Sequence, residues 1–72
     1  MNRYKKTFYF KNGATLTSEY EGDKTIDYLN DYYYKRKKKG SIVTEMVDNI
    51  ERMIVDLKDV CLIDIEEIKE GE

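Results

Sequence analysis

The sequence predicts a small α+β domain, and three observations carry that prediction. Two aromatic and β-branched runs flank an Asn12-Gly13 dipeptide, an apolar stripe with helical spacing ends in a block of cations, and a short aliphatic run lies near the carboxy terminus. With 72 residues the chain makes one domain, residues 1–72. It buries only roughly 60% of the surface its unfolded form exposes.

The first element is a hairpin. Thr7-Phe8-Tyr9-Phe10 and Ala14-Thr15-Leu16-Thr17 enclose Asn12-Gly13, which favours a two-residue type I′ turn. That turn sets Phe10 opposite Thr15, Tyr9 opposite Leu16, Phe8 opposite Thr17 and Lys6 opposite Glu19. One face then carries Tyr9, Leu16 and Ala14 and the other carries Phe8 and Phe10, so neither is polar as a one-sided sheet requires. In so short a chain this favours burial of one face against another molecule, with Phe8, Tyr9 and Phe10 at the interface. The alternative keeps the two Phe rings in the core and leaves Tyr9 half-exposed.

A turn at Glu21-Gly22-Asp23 leads to a helix expected from about Lys24 to Lys38, with Asp23 or Thr25 as its cap. Asp27 and Asp31 fall in its first half and the lysines in its last turn, as the helix dipole prefers. Ile26, Leu29, Tyr32 and Tyr33 share one face, Tyr28 lies at its margin and Tyr34 points away. Gly40 supplies the stop.

Ser41 to Leu57 admits two readings. Ile42, Val43, Met46, Val47, Ile50, Met53, Ile54 and Leu57 fall within one arc of a helical wheel, and a second helix is the preferred reading. The segment is also rich in β-branched residues, and Asp48-Asn49 would turn a hairpin that pairs Val43 with Ile54 and Glu45 with Arg52. Val60 to Ile65 reads as a strand with buried flanks, and Glu66 to Glu72 as an acidic tail. The element order is therefore β-β-α-α-β, or β-β-α-β-β-β if the amphipathic segment is a hairpin.

The residue types exclude more than they identify. There is no His, and no Ser or Cys stands in a nucleophile-elbow setting, so the expectation is a protein that is not an enzyme. A single Cys and no His leave no soft ligand set for a transition metal, and no metal or cofactor is expected. The glycines are scattered singly and cradle no phosphate. Nothing near Met1 reads as an export signal, and no run approaches the roughly 20 apolar residues that span a bilayer. A reducing cytoplasm is the expected setting, with Cys61 packed as a small hydrophobe.

Charge is unevenly divided. Residues 1–39 hold ten Lys/Arg against five Asp/Glu, and residues 40–72 hold three against ten, or +5 and −7 within a total of −2. Such asymmetry bears on association. The block Tyr32, Tyr33, Tyr34, Lys35, Arg36, Lys37, Lys38, Lys39 combines rings that stack on bases with cations that neutralise phosphates, a pattern suited to a nucleotide or single-stranded nucleic acid. The same cations also complement a helix carboxy terminus. The carboxylates of the other half, Glu66, Glu67 and Glu70 among them, suit contact with a basic surface on a protein.

Ten Lys, seven Tyr and seven Ile, with no Pro, His, Gln or Trp, mark an AT-rich coding region. With the hairpin-first layout, this composition resembles that of the small accessory proteins of phages and mobile elements in low-GC bacteria. The resemblance implies a non-catalytic inhibitor or regulator that binds a host protein, a component of antiviral defence for instance. It rests on composition and size, so it assigns no residue a role. A homo-oligomer is the further expectation, because a second subunit would supplement a small core.

Overall fold

The computed structural model describes residues 1–48 and 50–69. The chain forms strands β1 (Asn2–Phe10) and β2 (Thr15–Gly22), helix α1 (Ile26–Lys39), strands β3 (Ile42–Met46) and β4 (Arg52–Asp56), a 3-10 turn (Leu57–Asp59) and strand β5 (Val60–Glu67). An antiparallel sheet runs in the order β2-β1-β5, and β3 pairs with β4 in a separate two-stranded sheet. The class is α+β, in the β-β-α-β-β-β order.

The first hairpin differs from its expected register by one residue. Phe10 closes the loop, its N–H reaching the Ala14 carbonyl at 2.9 Å, and Gly13 donates back to the Phe10 carbonyl at 3.0 Å. Three residues, Lys11, Asn12 and Gly13, thus form the loop in place of two. Gly13 takes the left-handed φ of 92° that such a loop needs, and Asn12 Oδ1 accepts from the Ala14 N–H at 3.0 Å. Tyr9 now faces Thr15, Phe8 faces Leu16, Thr7 faces Thr17 and Lys6 faces Ser18.

A slip of one residue exchanges the two faces of a strand. Tyr4, Lys6 and Phe8 therefore share the inner face with Leu16, Ser18, Ile63 and Ile65. Lys5, Thr7, Thr15, Thr17, Glu19, Asp64 and Glu66 face outward, with Tyr9 and its β5 partner Leu62 as the apolar exceptions. The sheet is one-sided after all, and the two-sided ribbon that favoured burial against another molecule does not form.

Helix α1 begins as its sequence dictates. The Thr25 side chain accepts from the Tyr28 N–H at 3.2 Å, and Gly40 ends the helix in the left-handed conformation, φ 68° and ψ 35°. The Ser41 N–H then reaches the Arg36 carbonyl at 3.0 Å, completing a carboxy-terminal cap.

After that cap the chain departs from the preferred reading of a second helix. Residues 42–46 and 52–56 form a hairpin, with Val43 opposite Val55 and Glu45 opposite Met53, one residue removed from the pairing that the sequence suggested. β-branched content outweighs the helical wheel because Val43 and Val55 pack inward on the main sheet and helix. Phe8, Tyr33, Val43, Val55, Leu57 and Val60 make the core, edged by Phe10, Leu16, Tyr32, Ile63 and Ile65.

Strand β5 is longer than expected. Glu66 and Glu67 belong to it and do not begin a tail, while residues 70–72 lie outside the described residues. Cys61, expected to pack inside, is exposed, with its Sγ 3.3 Å from the Tyr9 carbonyl. It is the unpaired residue where the β1–β5 register shifts between Leu62 and Val60, so strand alternation does not carry it into the core.

Candidate functional site

Four elements each send one polar group into the interior. Lys6 of β1, Ser18 of β2, Tyr33 of α1 and Glu45 of β3 meet with exposures of 6%, 1%, 5% and 3%. Glu45 Oε1 accepts from Lys6 Nζ at 2.6 Å and from Ser18 Oγ at 3.0 Å, and Oε2 accepts from the Tyr33 hydroxyl at 2.6 Å. Lys6 Nζ also donates to the Tyr33 hydroxyl at 3.0 Å, so it meets this tyrosine at its oxygen rather than over the ring face. Burial raises the Tyr33 phenol far above its ordinary value, and the hydrogen-bonded Glu45 carboxylate raises it further. The phenol is a neutral donor throughout the physiological range.

This cluster locks β3 to the main sheet, because only a strand with Glu45 turned inward completes it. A cleft of about 450 Å³ between β2, α1 and β3 reaches Lys6 and Glu45, with Tyr20, Tyr28 and Tyr32 along it. Its chemistry is largely consumed within the chain. Lys24 Nζ lies 4.8 Å from the Tyr28 ring centre and the Arg36 guanidinium 3.5 Å from that of Tyr32. Glu45 spends both of its oxygens on internal donors.

The aromatic and basic block does not form one platform. Tyr33 is enclosed, edge-on to Phe8 at 5.7 Å between ring centres. Tyr32 is half-buried under Arg36, and Tyr34, 64% exposed, points the other way. Lys35 pairs with Asp31 at 3.0 Å one turn earlier. Lys37 is half-buried, whereas Lys38 and Lys39 are exposed.

The other candidate contact residues also separate. Phe8 is fully enclosed, Phe10 is half-buried at the edge of the core, and Tyr9 lies on the outer sheet face. Glu66 pairs loosely with Lys5 at 3.8 Å, Glu67 is exposed opposite Tyr4, and Glu70 lies outside the described residues.

Sequence reasoning missed a different surface. The outward face of β3–β4 carries Ile42, Thr44 and Met46 on one strand and Ile54 on the other. Ile42 is 64% exposed, Met46 45% and Ile54 79%. Together these side chains leave an exposed apolar group on this face, while the charged Glu45 lies beneath it. Strand alternation read with Val43 inward is the signal that would have found it.

Among the described residues no helix is long and apolar enough to cross a membrane, and no group of His, Cys, Asp and Glu is placed to hold a metal ion. No family model matches the chain, and no curated protein or solved structure matches it either.

Proposed function

We propose that this protein is a non-catalytic interaction module that binds a protein partner, acting as a small inhibitor or regulator of a host protein in the cytoplasm. The apolar outer face of the β3–β4 hairpin carries this reading. A two-stranded sheet is marginal alone, and this one spends its inner face on the core. Its outer face displays Ile42 and Ile54 to solvent on adjacent strands, where covering them stabilises whatever lies on top. Burying one such aliphatic side chain contributes about 1.5–3 kcal/mol.

The surroundings suit specificity. Arg52 and Asp56 flank Ile54 on the same face, and this mixture of apolar centre and charged rim is common at protein interfaces. The resemblance to phage and mobile-element accessory proteins supplies the class of role, inhibition of a host factor such as a defence component. Self-association through the same face is the second reading, favoured by the small core.

The experiment compares the tagged wild type with the double variant Ile42→Ser/Ile54→Ser in capture from a bacterial lysate, with sizing by light scattering. The wild type retains a reproducible protein that the variant loses, while both melt within a few degrees of each other. A wild-type dimer that becomes monomeric in the variant, with no captured protein, would reassign the face to a second copy of the chain. Equal capture by both would remove the face from the account.

A further inference from the structure

The cations of this chain divide into two populations. Those of β1 are met by carboxylates: Lys5 by Glu66, Lys6 by Glu45, and Arg3 by Glu19 at 3.3 Å and Glu21 at 3.6 Å. Lys35 pairs with Asp31, and Lys24 and Arg36 lie against tyrosine rings. By contrast, Lys11, Lys37, Lys38 and Lys39 have no ion pair among the described residues, and these four line one open cleft of about 630 Å³ together with Lys58. The uneven charge of the sequence thus becomes an uneven molecule. Acidic strands neutralise the amino-terminal cations, and four lysines without an ion pair among the described residues, Lys11, Lys37, Lys38 and Lys39, collect at one end.

The fold assembles this end from three separate stretches of chain. Lys37, Lys38 and Lys39 form the last turn of α1. Lys11 comes from the first hairpin loop, held beside the 3-10 turn by its N–H, which reaches the Asp59 carbonyl at 2.9 Å. Lys58 comes from that turn, and its stem lies across Gly40, where a Cβ would meet Lys58 Cγ at 2.6 Å.

Complementing the helix dipole does not account for the arrangement. A helix carboxy terminus carries about half a negative charge. Arg36 and three lysines already stand in the last turn, and Lys11 and Lys58 come from outside the helix. Two carboxylates lie close by. Asp56 accepts from the Lys58 N–H at 3.1 Å and approaches its Nζ at 3.8 Å, and Asp59 borders Lys11. They leave an excess of positive charge.

Lys37 and Cys61 also border a second cleft, lined by Tyr34 with Leu62 and Ile63. Tyr34 is the one member of the Tyr32 to Tyr34 run whose ring is free in solvent. A row of cations, four of them without an ion pair among the described residues, leading to an exposed ring is the arrangement that tracks a nucleic-acid backbone and stacks a base.

We infer that this end binds single-stranded nucleic acid, with Lys11, Lys37, Lys38, Lys39 and Lys58 on the phosphodiester backbone and Tyr34 stacking a base. The lysines present point charges without a backbone cradle, so binding is indifferent to sequence. With about five phosphates neutralised on a single strand, affinity falls about 100-fold between 50 and 200 mM salt.

The test is fluorescence anisotropy with a labelled 12-mer of deoxythymidine, run beside inorganic polyphosphate, on the wild type and on variants whose fold is checked by circular dichroism. The 12-mer binds at 50 mM salt and shows that salt dependence. Lys11→Glu/Lys58→Glu loses at least tenfold, and Lys69→Glu, remote from the cleft, matches the wild type. Tyr34→Ala weakens the 12-mer severalfold and leaves polyphosphate binding unchanged. Absence of binding at 50 mM salt, or wild-type affinity in Lys11→Glu/Lys58→Glu, would overturn the inference. Polyphosphate bound more tightly than the 12-mer, with Tyr34→Ala silent on both, would overturn the nucleic-acid assignment and leave a phosphate site.

Discussion

Replacing Lys6 by Met tests whether the polar cluster joins the elements of this fold as described. Glu45 is 3% exposed and takes three internal hydrogen bonds, one of them from its single counter-charge. Lys6→Met leaves that carboxylate buried with two neutral donors, and breaking a buried pair on one side costs about 3–5 kcal/mol. A domain of this length has about 4–11 kcal/mol in all, so the variant stands near the edge of unfolding. Glu45→Met strands the lysine and behaves alike.

The double variant Lys6→Met/Glu45→Met is more stable than either single one, because no charge remains inside. It still leaves the Tyr33 and Ser18 hydroxyls without their acceptor, at about 1–3 kcal/mol each. Adding Ser18→Ala and Tyr33→Phe brings stability back toward the wild type. Urea denaturation of the series at neutral pH measures these differences. A cost below about 1 kcal/mol for Lys6→Met, or additive effects in the double variant, would refute the reasoning.

Further predictions concern the same elements. Tyr33 holds its proton more tightly folded than unfolded, so its contribution to stability is constant below about pH 10 and falls by about 1.4 kcal/mol per pH unit above it. Tyr4, raised chiefly by burial and then by Glu67, acts in the same direction, and a Tyr33→Phe variant loses part of this alkaline sensitivity in pH-dependent melts. Tyr33→Ala costs about 3–5 kcal/mol in urea denaturation, whereas Tyr34→Ala stays within about 0.5 kcal/mol. Gly40→Ala costs about 1–2 kcal/mol through its left-handed φ. Lys58→Ala removes only the contact between the new Cβ and the Lys58 stem and leaves the cost of the left-handed φ in place.

The sequence made some elements plain and others opaque, for physical reasons that differ. Helix α1 was legible because cap, dipole and stripe agree: Thr25 caps it, Leu29 and Tyr33 face inward, and Gly40 stops it. Asn12-Gly13 located the first turn but not its length, and a single extra loop residue exchanged both faces of the ribbon.

The segment from Ile42 to Asp56 failed because it breaks strand alternation twice. Glu45 points inward to a buried partner, and Ile42, Met46 and Ile54 point outward and stay exposed. A helical wheel absorbs both exceptions without strain, which is why the sequence alone favours a helix here. Those exceptions now mark the structural lock and the candidate interface, where local rules are expected to yield to other demands. The basic end was half legible, since Lys37 to Lys39 are contiguous while Lys11 and Lys58 join them only through the fold.

A photo-crosslinking residue placed in turn at Ile54, on the outer face of β3–β4, and at Thr17, on the outer face of the main sheet, tests the proposed interface most directly. Ile54 lies at the centre of the proposed contact and Thr17 on a polar face, both exposed. Irradiation in a bacterial lysate gives a defined protein adduct from position 54 and none from position 17. An adduct from position 17 alone, or from neither position, would contradict the assignment of this hairpin face as the protein-binding surface.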